Sequence, residues 1–125
     1  MAKNRKYVKV EGTLTNVGTS EEVALQLPYL AGSPGGEIFL LRSFYFIKTG
    51  GSASTFGPKL GESAAFTSDG IDERLSYTAS GNNIADVFSA DIPVKTDSAG
   101  KLYFRPVFNA GSDNDADYAF FFETL

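Results

Sequence analysis

The chain contains no cysteine, no histidine and no tryptophan. Without cysteine there is no disulfide and no thiolate metal site, which fits synthesis in a reducing cytoplasm. Without histidine, serine or cysteine triads of the histidine type are excluded, as are histidine-ligated zinc and copper sites. No glycine-rich loop leads from a strand into a helix, so phosphate cradles of the P-loop or dinucleotide type are absent. No run approaches the roughly eighteen consecutive apolar residues that a membrane-spanning helix needs. The opening Met1-Ala2-Lys3-Asn4-Arg5-Lys6 is basic but lacks an apolar segment, so it does not read as a secretory signal.

What remains is a chain of 125 residues, 42% apolar, with eleven Phe, six Tyr, thirteen Gly and five Pro. That size suits one domain with a full core. Aromatic residues set between glycine- and proline-rich turns point to strands. The net charge of −4 is unevenly spread, because Lys3, Arg5, Lys6 and Lys9 are four of the eleven positive side chains. Residues 10–125 keep seven positive against fifteen negative side chains. The expected organisation is a basic N-terminal arm over residues 1–9 and a single acidic β-domain over 10–125. An acidic body argues against direct nucleic-acid binding, which needs clustered Lys and Arg.

The organising element is the run Glu37 to Lys48. It is β-branched and aromatic, and it lies between Gly35-Gly36 and Thr49-Gly50-Gly51. At period two, Phe39, Leu41, Ser43, Tyr45 and Ile47 share one side, while Ile38, Leu40, Arg42, Phe44 and Phe46 share the other. Both sides are mostly apolar. One therefore lines the core, and the other needs a crossing loop or a second protein to cover it.

Elsewhere the alternation is cleaner. Val8, Val10 and Leu14 share one side of a first strand, and Val23, Leu25 and Leu27 share one side of a second, which Pro28 ends. Residues 50–61, containing Phe56-Gly57-Pro58, read as an exposed loop. Ser63 to Thr67 reads as a short strand anchored by Ala65 or Phe66, and Ile71 to Thr78 as another. Residues 84–92 fit a strand better than a helix, since Ile92-Pro93-Val94 continues as an edge. Leu102, Phe104 and Phe108 share a side, as do Tyr118, Phe120 and Phe122, with Phe121 opposite. Some eight antiparallel strands result. The expected fold is an all-β antiparallel β-sandwich, an eight-stranded jelly roll ahead of an immunoglobulin-like arrangement.

Carboxylates are the remaining candidates for chemistry. Glu21-Glu22 and Asp72-Glu73 are adjacent pairs on strands, so their members point to opposite faces, which is wrong for a shared acid/base pair. Asp113, Asp115 and Asp117 place three carboxylates at alternate positions, the donor type that calcium takes. The glycine and glutamate of an EF-hand loop do not follow them. The residues read first as an acidic hairpin tip, with calcium as the alternative. Arg42 either lies at the rim and reaches water or, the reading preferred here, meets a carboxylate on this chain or a neighbour, because an unpaired buried guanidinium is very costly. Arg105 reads as a solvated outer-face residue.

The sequence Asp91-Ile92-Pro93-Val94-Lys95-Thr96, then Ala99 to Pro106, then Asn109 to Asn114, with a Phe-rich closing strand, resembles small β-sandwich accessory proteins of tailed bacteriophage virions. The Phe39-to-Gly51 segment fits the same pattern. The resemblance implies a non-catalytic capsid decoration or cement protein, found on the virion after assembly in the host cytoplasm. It would bridge capsomers by binding the major capsid protein, as a homo-oligomer, often a trimer. The surface expected to carry this comprises Lys3, Arg5, Lys6, Arg42, Phe44, Tyr45 and Phe46. A glycan-binding module of a phage fibre or spike is the alternative, weakened by the missing tryptophan.

Overall fold

A computed structural model describes residues 6–28, 36–66, 73–76, 79–80 and 85–124. It is an antiparallel β-sandwich, with ten strands among the described residues: β1 (Tyr7–Val17), β2 (Val23–Gln26), β3 (Ile38–Gly50), β4 (Thr55–Phe56), β5 (Lys59–Gly61), β6 (Glu73–Ser76), β7 (Ala79–Ser80), β8 (Ala85–Lys95), β9 (Lys101–Arg105) and β10 (Asn114–Thr124). One sheet runs β1-β10-β3-β8 and the other β2-β9-β5-β6, with β4 and β7 forming a short ribbon. The order is nested: the first strand lies beside the last, and the second beside β9. β1 is already strand at Tyr7, so the basic arm is shorter than residues 1–9, and Lys9 belongs to the sheet.

The inner faces meet in an aromatic core. Phe104 of the smaller sheet stands edge-on to Phe120 at 5.1 Å and lies 4.8 Å from Tyr118. Phe44 packs on Phe120 at 4.9 Å and Phe46 on Phe56 at 4.6 Å. Burying a phenylalanine is worth roughly 1.5–3 kcal/mol, and offset or edge-on ring pairs add about 0.5–1.5 kcal/mol each. Gly12 has no side chain for a reason visible in its neighbour, since a Cβ there would lie 2.5 Å from the Tyr118 hydroxyl.

The central strand corrects the period-two reading. β3 carries one residue more than β10 at Arg42, because Phe121 pairs with Ser43 and Phe122 with Leu41. On the other side Arg42 opposes the two residues Ala90 and Asp91 of β8. This irregularity flips the side-chain parity halfway along the strand. Phe39 and Leu41 point inward before it, and Phe44, Phe46 and Lys48 after it. The two apolar sides seen in sequence are largely one inner face in two phases. Phe44 and Phe46, expected at an interface, are 1% and 0% exposed and belong to the core.

Three further expectations change. Phe56 and Pro58 of the supposed exposed loop are buried. Residues 62–66 form a turn instead of a strand, and they cover the smaller sheet, not β3. There Phe66 lies over Gly61, where a Cβ would come within 2.1 Å of its ring. The Arg105 guanidinium covers Phe66 at 3.9 Å and pairs with Glu22 at 2.8 Å, so Arg105 is half-buried and not freely solvated.

Candidate interaction face

The outer face of the β1-β10-β3-β8 sheet gathers the residues that the core leaves over. The inward parity of Val8, Val10 and Leu14 turns Tyr7, Lys9, Glu11 and Thr13 of β1 outward. β10 contributes Asp115, Asp117, Ala119, Phe121 and Glu123. β3 contributes Ile38, Leu40, Tyr45 and Ile47. Tyr45 stands directly opposite Ala119, and its ring lies 6.4 Å from Phe121. Lys9 sits over the free side of the Phe121 ring at 5.9 Å. Leu40, Tyr45, Ile47 and Phe121 are half-buried, while Ile38 is 52% and Tyr7 78% exposed. The centre is therefore an apolar strip bordered by charges of both signs.

Arg42 lies on this face, released from the core by the irregularity that it creates. Its Nη1 donates to Glu123 Oε2 at 3.1 Å, and its Nε lies 3.3 Å from Asp91 Oδ1. The carboxylate that its position demands is thus on its own chain. Glu123 is 3% exposed, so the guanidinium also neutralises a buried acid.

Beside Tyr45 a shallow hollow of about 290 Å³ is lined by Glu11, Gly12, Thr13, Asp117 and Tyr118. The Thr13 hydroxyl donates to Asp117 Oδ1 across its rim at 2.9 Å. The Tyr118 phenol below is pushed above its ordinary pKa by burial.

The acidic run does not assemble into one site. Asp113 accepts from the Ser52 hydroxyl and backbone N–H, at 2.8 and 3.1 Å. These bonds, the hydroxyl foremost and Lys48 adding attraction, hold its carboxyl below the usual range. Asp115 accepts from the Asn16 N–H at 2.9 Å, and Asp117 serves Thr13. Asn114 between them is buried, accepting from Ala53 N–H and donating to the carbonyls of Val17 and Ala110. Asp113 thus braces the Ser52 loop, while Asp115 and Asp117 each tie β10 to β1 at separate points. Among the described residues, no group of three or more acids gathers as a cation would require.

Of the expected surface, Tyr45 and Arg42 lie on this face. Lys6 is exposed at its edge, its backbone N–H donating to the Thr124 hydroxyl at 3.0 Å. Lys3 and Arg5 lie outside the described residues. Leu40, Ile47, Ala119, Glu123 and Asp91 complete the face without having been singled out. The signal for them was the outward parity of β10, which places Phe121 beside Tyr45 once the two strands are neighbours. No protein-family model and no curated protein matches the chain.

Proposed function

We propose that the chain is a non-catalytic structural protein of the capsid-decoration type, docking on a shell of major capsid protein through the outer face of its β1-β10-β3-β8 sheet. One observation carries the reading: Leu40, Tyr45, Ile47 and Phe121 form an apolar strip on a sheet whose core is already complete. Aromatic centres with charged rims dominate the energetics of protein contacts. The nested strand order supports viewing the sandwich as a jelly roll, an architecture common in capsid domains. Among the described residues, Asp113, Asp115 and Asp117 accept hydrogen bonds from Ser52, Asn16 and Thr13, and Glu22, Asp91 and Glu123 lie in ion pairs. A homo-oligomer on the virion is the form that this role implies.

Purified protein mixed with shells of the same virus's major capsid protein should co-sediment with them, and Tyr45→Arg should release it. Wild-type protein left in the supernatant would remove the reading.

The hollow beside Tyr45 favours a second reading, a glycan-binding module, since it offers a phenol ring with hydroxyl and carboxylate partners. A glycan array bound by wild type and lost in Asp117→Asn would select it over the first.

A further inference from the structure

The two long edges of the β1-β10-β3-β8 sheet are finished differently. β8 is blunted: Pro93 has no N–H, its carbonyl accepts from Arg74 Nε at 3.2 Å, and the Lys95 N–H donates to Glu62 Oε2 at 2.8 Å. β1 is eleven residues long, has no proline, and among the described residues no strand pairs with its outer side. The Thr124 N–H donates to the Lys6 carbonyl at 2.9 Å. Antiparallel alternation from that bond turns the backbone groups of Val8, Val10, Gly12 and Leu14 toward β10. Those of Tyr7, Lys9, Glu11 and Thr13 point away from the sheet. Beneath this edge runs an open groove of about 540 Å³ lined by Val8, Lys9, Gln26, Leu27 and Pro28.

We propose that this edge pairs antiparallel with the same edge of a second copy of the chain, about a twofold axis through Val10. The backbone allows only registers that set odd-numbered residues opposite each other, because those carry the free groups. A twofold through Lys9 would set two ammonium groups face to face, and one through Glu11 two carboxylates. A twofold through Gly12 leaves Lys9 opposite Thr15 and Glu11 opposite Thr13, with no charge paired. The Val10 register alone sets Lys9 opposite Glu11 of the second copy, and Glu11 opposite its Lys9. Within one chain these two side chains already lie 3.0 Å apart on the outer face, so the pairing makes a square of alternating charge. The inward Val8 and Val10 of both copies extend the apolar layer along the open groove. This pairing is independent of what the outer face docks on.

Sedimentation equilibrium tests it. The wild-type chain is expected at about twice its 13.4 kDa mass. Lys9→Glu or Glu11→Lys alone should weaken association about tenfold or more, since each turns two attractions into repulsions. The double exchange K9E/E11K should restore it. Val10 would meet its own copy at a close, non-hydrogen-bonded position, and the chain has no other cysteine, so Val10→Cys should form a disulfide dimer on oxidation and Thr13→Cys should not. Circular dichroism melts confirm that each variant is folded. A wild-type monomer would overturn the proposal, as would a dimer indifferent to both single reversals or one in which Val10→Cys stays uncrosslinked.

Discussion

Arg42 and Glu123 meet across β3 and β10, guanidinium Nη1 to carboxylate Oε2 at 3.1 Å, where β3 carries its additional residue. The irregularity brings the arginine to the outer face, and the buried glutamate holds it there. Arg42→Ala leaves the acid without this partner and should cost about 1–2 kcal/mol, moderated by the arginine's partial exposure. Adding Glu123→Gln should recover part of the loss. Urea unfolding of the four members of the cycle reads the coupling directly.

The change of phase at Arg42 makes a sharp contrast between neighbours. Phe44→Ala should destabilise by about 3–5 kcal/mol, because its ring fills the core against Phe120. Tyr45→Ala, on the outer face, should cost only about 1 kcal/mol. Equal losses at the two positions would mean that the parity does not switch.

Gly61 is kept bare by Phe66. Gly61→Ala should drive the ring off the smaller sheet and cost about 1–3 kcal/mol, with Phe66 fluorinated and followed by NMR to show the displacement.

Acid stability should depend on Asp97. Partial burial raises its pKa, but bonds from the Lys101 N–H, the Tyr103 hydroxyl and the Ala99 N–H outweigh this and leave it lowered. A depressed folded pKa stabilises the fold above the unfolded value and loses that contribution as the pH falls through the folded one. Asp97→Asn should therefore narrow the stability gap between neutral and acid pH. Tyr103, whose pKa is raised chiefly by the same hydrogen bond, behaves in the opposite sense: its contribution is present below the unfolded tyrosine pKa and is lost as the pH rises through the folded one. Thermal melts of wild type, Asp97→Asn and Tyr103→Phe across pH check both signs.

Much of the sandwich is legible in the sequence. The inward sets Val8-Val10-Leu14, Leu25-Leu27, Leu102-Phe104 and Tyr118-Phe120-Phe122 follow from simple alternation, because their strands are regular where those residues sit. The face of Phe44 and Phe46 is not readable, since a single additional residue inverts parity without altering composition. A carboxylate partner for Arg42 is suggested by a charge set in an apolar strand, yet the arginine lies partly exposed on the outer face, and Glu123, 81 residues away, becomes its neighbour only through the nested strand order. The Phe66–Gly61 contact is hidden for a similar reason: a turn that folds back over a sheet has the same apolar anchor as a short strand. The acidic run misleads as a cation site because its carboxylates are each taken by a different partner, Ser52 in a loop and Asn16 and Thr13 on the neighbouring strand.

The most direct test of the docking face is hydroxyl-radical footprinting of the protein, free and attached to shells. Oxidation of Tyr45 and Phe121 should fall on attachment while Tyr103, outward on the opposite sheet, stays unchanged. Protection of Tyr103 with Tyr45 and Phe121 unaffected would contradict the assignment.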